Sequence, residues 1–449
     1  MGVKCLVVFI LWAVLSAGAV WGQGSQKPLS LEESIQIALE RNLALHSARE
    51  GVVGSEFRRR AAMTDFLPKW TGQYSYTRLH ETPSTTSFHA DISGTTVKLT
   101  PIRVDTGTAD NFNLNTSVNQ PLFAGGSIWA NYRLESLGVD LSKTNVETVK
   151  RDIVLLVRVG YFTILRAERF LLVAEQAVKQ FEAQLEVTKA FFEVGIVPKN
   201  DVLQAEVRLA NARQALIRAA NDVAAAKASF NILLRTDINA PLTVVDILGF
   251  KAFDLRFEEC LEEALRLRPE IRVVELSIGQ AKEAVKIAKS AFFPTLSLSW
   301  NYSRFGDEPW VDGTKFREPW SWNILGLATF TLGDWGKVAY QVGENKVKVT
   351  QAVDSKTRLI DFVTLEVKNG YLNMVVAEKN IGVAEKAIEQ AEENLRMNEE
   401  RYKYQVATQT DVLNAVVLLA ETRVNYYGAL SDFNVAKAQL ERSMGRMYP

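Results

Sequence analysis

The sequence predicts a mainly α-helical fold with membrane-spanning β-strands, in which one chain carries two copies of the same architectural half. Three observations predict it: a duplication running through the chain, four segments of alternating apolar and polar residues, and two proline-free runs of helical pattern. A constant offset of 210 carries Gly126, Gly160, Tyr161, Asp201, Val202 and Leu203 onto Gly336, Gly370, Tyr371, Asp411, Val412 and Leu413. Upstream, an offset of 226 carries Phe66, Pro68, Tyr76 and Arg78 onto Phe292, Pro294, Tyr302 and Arg304. The halves therefore differ mainly by extra residues between about 80 and 120. A repeat this long is a duplicated half rather than a solenoid unit. It points to a quasi-symmetric object and away from a single asymmetric pocket.

The elements follow in order. Lys4, the apolar stretch Cys5–Leu15 and the small residues Ser16–Ala19 have the layout of a secretory signal peptide over residues 1–22. Cleavage fits after Ala19 or after Gly22. The apolar run is shorter than the ~20 residues a membrane span needs. Residues 23–234 form the first repeat: a helix from near Leu31, a strand pair over 68–122 and a long helical hairpin over 126–234. Residues 235–256, with Pro241 and Gly249, read as the linker. Residues 257–449 repeat the plan, with a helix from Phe257, a strand pair over 294–332 and a hairpin over 336–444. Pro68 and Pro294 mark where helix becomes strand, because proline and its predecessor resist helix. Gly126 and Gly336 mark the return. The uninterrupted runs after these glycines would each reach roughly 100 Å at ~1.5 Å per residue. Val178, Phe181, Leu185, Thr188 and Phe192 keep the spacing of a coiled-coil seam, repeated by Ile388, Ala391, Leu395, Asn398 and Tyr402.

The strands carry the membrane signal. Trp70, Tyr74 and Tyr76 alternate with Lys69, Thr71, Gln73 and Ser75, and Leu296, Leu298, Trp300 and Tyr302 with Ser297, Ser299, Asn301 and Ser303. The returning segments set Phe112, Leu114 and Val118 against Asn113, Asn115 and Ser117, and Trp320, Trp322 and Ile324 against Ser321 and Asn323, with Leu325 and Leu327 breaking the rule. Period-two alternation gives one apolar and one polar face. The lengths suit the ~9–11 residues of a tilted membrane strand. Asn, Ser and Thr with few charges suit a wet lumen, and tryptophans near both ends suit interfacial belts. Four strands cannot close a barrel, since single-chain barrels start at about eight. An open edge in lipid leaves backbone groups unsatisfied. The chain must therefore associate, and three copies would supply twelve strands.

Other chemistries lack their raw material. After the leader only Cys260 remains, so an intrachain disulfide is excluded. His46, His80 and His89 have no metal-binding spacing, and no cofactor motif appears. A barrel enzyme using His80 or His89, in the long first external loop, would lack a Ser-His-Asp arrangement. The balance of 52 basic and 52 acidic residues argues against nucleic acid as a partner.

The segments FFEVGIVPKNDVLQAEVRLANAR and RYKYQVATQTDVLNAVVLLAETR resemble the helical hairpin of the TolC-like outer membrane efflux proteins. The likeness runs over essentially the whole mature chain. It implies a homotrimer sharing a twelve-stranded outer membrane β-barrel and a long periplasmic α-helical barrel. It further implies passage of cargo from an inner-membrane RND or ABC pump, through a periplasmic adaptor protein, as in efflux or type I secretion. Gly195, Ile196 and Val197, and Val406, Ala407 and Thr408, would form the adaptor-contacting tips. Asp201 and Asp411 match acidic positions of the family's closed aperture. Departures stand beside these matches: Ala407 replaces an arginine of the closing network, Asn414 a second acid, and Gln405 the tip glycine.

Asp201 and Asp411 also have a plainer role, as helix caps that accept hydrogen bonds from free first-turn N–H groups. Asp201 with Gln204 fits a capping box. One carboxylate can do both. The competing reading of the whole chain is a periplasmic or surface coiled-coil scaffold without a channel.

Overall fold

The computed structural model describes residues 28–447, so the expected signal peptide lies outside the described residues. The first half opens with α1 (Leu31–Arg41) and α2 (Leu43–Thr64), and the second with α5 (Phe257–Leu267) and α6 (Pro269–Ser290). The sequence reading had one helix in each place. Both break at the same repeat position for local reasons. The Asn42 side chain accepts from the N–H groups of Ala44 and Leu45 and starts a new helix. Pro269 takes the first position of α6, where its missing N–H costs nothing.

The long runs form as expected. α3 (Ser127–Glu193) and α7 (Lys337–Lys403) have 67 residues each, and α4 (Lys199–Leu233) and α8 (Gln409–Ser443) have 35 each. Gly126 and Gly336 are the N-caps of the long helices, both at φ 86°, a left-handed conformation that glycine reaches without a Cβ penalty. α3 packs on α4 at one end and on α2 and α6 at the other, and α7 does the same with α8 and α6. Two shorter helices thus match one long one.

Three apolar clusters run along this bundle. Val157, Tyr161, Ile164 and Phe230 centre one, Phe181, Leu185, Val412 and Leu413 a second near the hairpin tips, and Val367, Met374, Phe433 and Leu440 a third. Tyr161 fixes the linker by donating to Leu29 O at 3.0 Å or Val245 O at 2.7 Å, beside the parallel bridge of Leu29 with Val244. Burial pushes its phenol up to about 12.

The membrane segments form one antiparallel sheet in the order β1-β4-β5-β6, from β1 (Lys69–Arg78), β4 (Asp110–Ala124), β5 (Thr295–Gly306) and β6 (Trp320–Thr329). The two halves join at β4 and β5, leaving β1 and β6 as free edges. A correction concerns the extra residues of the first half. They are a second hairpin, β2 (Ser84–Ser93) with β3 (Thr96–Asp105), so His89 lies on a strand rather than in a loop. Backbone bonds from Leu79 to Ala109 and from Thr106 to Pro83 make it an extension of the β1–β4 ribbon.

Candidate functional site at the hairpin tips and the sheet

Both hairpins turn in the same way. Gly195 at φ 78° and Gln405 at φ 61° each follow the last helical turn in the left-handed region. The Ile196 N–H donates to Phe191 O and the Gly195 N–H to Phe192 O, at 2.8 and 2.9 Å. Val406 to Arg401 and Gln405 to Tyr402 repeat the pair at 2.8 and 3.0 Å. This is the Schellman closure, which satisfies the last carbonyls of a helix. Val194, Ile196, Tyr404 and Val406 are left exposed, with Val197 and Ala407 half-buried between them.

The two aspartates, equivalent in sequence, differ in their bonds. Asp411 is the third residue of α8 and forms a capping box with Thr408. The Thr408 N–H and hydroxyl donate to Asp411 Oδ2 at 2.9 and 2.7 Å, and the Asp411 N–H donates to Thr408 Oγ1 at 3.2 Å. Those bonds hold the Asp411 carboxyl below the usual carboxylate range, with Arg401 adding to the effect. In the first half the cap position is Pro198, which has neither hydroxyl nor N–H, and α4 has no side-chain cap. The expected Asp201–Gln204 capping box is therefore not formed. Gln204 instead accepts from the Thr410 hydroxyl at 3.1 Å, tying α4 to α8. Arg208 adds a second tie, to Asn414 Oδ1 at 3.3 Å.

Behind these contacts lies a buried polar group that sequence reading missed. Gln184 donates to Gln409 Oε1 at 2.8 Å between α3 and α8. Burial pushes the Tyr402 phenol up, and the charge of Asp201 adds to this. The Tyr402 hydroxyl and Gln409 Nε2 have no well-directed hydrogen-bond partner among the described residues. Thr188 is near enough to favour the phenolate of Tyr402, yet its hydroxyl donates to Gln184 O. The Gln184–Thr188 spacing on the seam of α3 was the available signal.

At the other end, the sheet has two distinct faces, broken only where Leu325 and Leu327 of β6 stand opposite Ser299 and Ser297, and its polar face is bonded across the sheet. Thr71 with Ser117, Ser299 with Asn119, Ser303 with Asn115 and Asn301 with Asn323 lie 2.8–3.3 Å apart, all on one side. Trp70, Tyr74, Trp300, Trp322 and Ile324 stand exposed on the other. Pro68 and Pro294 immediately precede β1 and β5, as expected. Residues 307–319, between β5 and β6, fold over the polar face. Thr314, Phe316 and Arg317 share a cavity of about 390 Å³ with Ser75, Asn111 and Asn113. Among the described residues, no group of His, Cys, Asp and Glu could hold a metal ion, and no helix is long and apolar enough to cross a membrane.

The family model described as outer membrane efflux protein matches residues 34–234 and 260–446. The chain belongs to that family. The protein is thus an outer membrane efflux protein, a transporter family, and its sheet is the part that enters the membrane. It is 22% identical over 435 residues to the outer membrane efflux protein BepC of Brucella suis, covering 97% of this chain and 89% of that one. It is 28% identical over 149 residues to the toluene efflux pump outer membrane protein TtgC of Pseudomonas putida, covering 32% and 29%. The fold of this efflux protein matches the outer membrane protein VceC of Vibrio cholerae, with TM-score 0.75, 17% identity, and 93% and 97% of the two chains covered. The Campylobacter jejuni outer membrane channel CmeC gives 0.75 at 18% identity, covering 92% and 85%.

Proposed function

We propose that this efflux protein is the exit duct of a tripartite efflux or type I secretion assembly. Three copies close a twelve-stranded barrel and continue it as a helical tunnel through the periplasm. The tips at Gly195, Ile196 and Val197, and at Val406, Ala407 and Thr408, meet a periplasmic adaptor, and an inner-membrane RND or ABC pump delivers the cargo. The duct performs no chemistry and needs no cofactor. The observation that carries this reading is the sheet itself, with an apolar face bare, a polar face bonded and two edges unpaired. Such a sheet is tolerable in lipid only once closed. The scaffold alternative leaves the bare aromatic face without a purpose.

Asp201 and Asp411 serve the aperture at the tip. Asp411 completes the capping box of α8 while it does so, whereas α4 has no side-chain cap and leaves Asp201 out of such a box. A photo-crosslinking residue at Ile196 or Val406 tests the arrangement in cells. Capture of an adaptor together with its pump is expected. Purified protein that makes no channel in planar bilayers, with tips that capture no adaptor, would defeat the proposal.

A further inference from the structure

The segment between β5 and β6, residues 307–319, is built into the sheet. The pairing of β5 with β6 runs on beyond Trp320, with the Phe305 N–H donating to Pro319 O at 3.0 Å. Pro319 has no N–H to return, which would leave Phe305 O bare in the ladder. The Gly313 N–H fills that place at 2.8 Å, and Gly313 does so at φ 98°, where a side chain would be strained. The Thr314 N–H and the Arg317 N–H then donate to each other's carbonyls at 3.1 and 3.4 Å. The Phe316 N–H donates to Thr314 Oγ1 at 3.1 Å. These bonds fix the turn of residues 314–317 over the polar face of the sheet.

That turn delivers one cation to a neutral wall. Phe305 alternates along β5 with the same parity as Asn301 and Ser303, whose side chains are bonded across the polar face. The Arg317 guanidinium lies over the Phe305 ring, with Cζ 3.1 Å from the centroid. Such stacking fixes the plane of a guanidinium and leaves its N–H edge for a ligand. Among the described residues Arg317 forms no ion pair. Of the segment's own acids, Asp312 pairs with Arg304 at 3.1 Å. Asp307 and Glu318 line, with Asp312, a neighbouring hollow that Arg317 also borders.

The cavity of about 390 Å³ beside Arg317 has Ser75, Thr77, Asn111 and Asn113 in its lining and no carboxylate. Asn111 is already committed, its Nδ2 donating to Thr108 O at 2.8 Å. Asn113 Oδ1 is buried and accepts from no donor among the described residues. An occupant that suits both groups has a pair of anionic oxygens for the guanidinium and a hydroxyl that donates to Asn113. We propose that this cavity is a binding subsite for a small hydroxylated organic anion, a carboxylate bearing hydroxyl groups, at the end of the duct far from the helices. The inference rests on the reading that the polar face lines the duct, and deepens it by naming a solute class. The first half has the β2–β3 hairpin in the matching place, so the described residues of one chain hold one such subsite. Arg317 is exposed, and water weakens its pairing with an anion. Weak binding suits passage, since a conducted solute must leave as well as enter.

Saturation-transfer NMR on the detergent-solubilised protein tests this, with gluconate as the probe. Glucose has the hydroxyls without the charge, and acetate the charge without the hydroxyls. Gluconate should bind saturably, and each comparator more weakly. Arg317→Gln should weaken gluconate binding about tenfold, the scale of one lost charge-assisted hydrogen bond. Arg317→Lys should recover only part of the loss, because an ammonium cannot lie flat on Phe305 or present a fork to a carboxylate. Single-channel recordings in planar bilayers show whether each variant is still a folded duct. A protein that makes no channel would remove the duct reading and the subsite with it. Channels without saturable gluconate binding, or with equal binding of acetate and gluconate, would overturn the subsite alone. So would an Arg317→Gln channel that binds gluconate as the unsubstituted protein does.

Discussion

Replacing Leu298 with arginine should impair assembly, whereas the same change one residue later, at Ser299, should be tolerated. Leu298 lies on the apolar face of β5, and Ser299 on the polar face, bonded to Asn119. Leu298 is three residues beyond Thr295, where the strand leaves the helical region. With ~3.3 Å rise per residue and a tilt of ~40° in a band ~25 Å tall, it sits about 8 Å into the hydrocarbon. Arginine costs ~2–4 kcal/mol at the midplane and less toward the interface, so about 1–2 kcal/mol per copy and about 3–6 over three copies is expected. Ser299→Arg loses one hydrogen bond between side chains, worth about 0.5–1.5 kcal/mol, and keeps its charge in water. Trimer yield from outer membrane fractions and single-channel conductance in planar bilayers make the assay. Leu298→Arg should lower trimer yield, and Ser299→Arg should keep the yield and change the conductance. Equal yields, or the opposite ranking, would mean that the two faces are wrongly assigned.

Asp201→Asn with Asp411→Asn should keep the trimer, because asparagine retains the acceptor that Thr408 uses; planar-bilayer recordings should show weaker cation preference and altered opening. Unchanged selectivity and gating would reduce both residues to structural roles. Gln405→Gly should stabilise the second tip by about 1 kcal/mol, by relieving a left-handed non-glycine, while Gly195→Ala should cost a similar amount; thermal melts in detergent read both. Acid should loosen the contact between α6 and α8. Burial alone would raise the Glu270 carboxyl, but bonds from Arg268 and the charge of Arg442 outweigh it and hold the pKa down. Its contribution is therefore complete above the ordinary carboxylate range and is lost as pH falls through the depressed value. The Tm should fall on acidification, and Glu270→Gln should make that fall smaller.

The parts legible in the sequence are those under a single dominant constraint. Alternation at Trp70, Tyr74 and Tyr76 could mean only a two-faced strand, and the proline-free runs after Gly126 and Gly336 left the helices unbroken. The β2–β3 hairpin was not legible because it is exposed on both faces, so Phe88, His89 and Asp91 follow no burial pattern, and Pro101 reads as an interruption. The break at Asn42 was hidden by apolar periodicity that runs on across it, although Pro269 marked the same place in the second half. At the tip, a capping role was legible for Asp411, but the cap itself is Thr408 and Asp411 is the third residue of the helix. Thr188 was legible on the seam, but Gln184 and Gln409 were not, since glutamine usually stays in water and only the meeting of two hairpins buries them.

Closure of the sheet by identical copies is the claim on which the rest depends, and the mass of the detergent-solubilised protein tests it most directly. Light scattering with the detergent contribution subtracted should give three times the mass of one mature chain, with no stable folded monomer on dilution. A monodisperse monomer that retains its strand content by circular dichroism would contradict the account, because β1 and β6 would then face lipid unpaired.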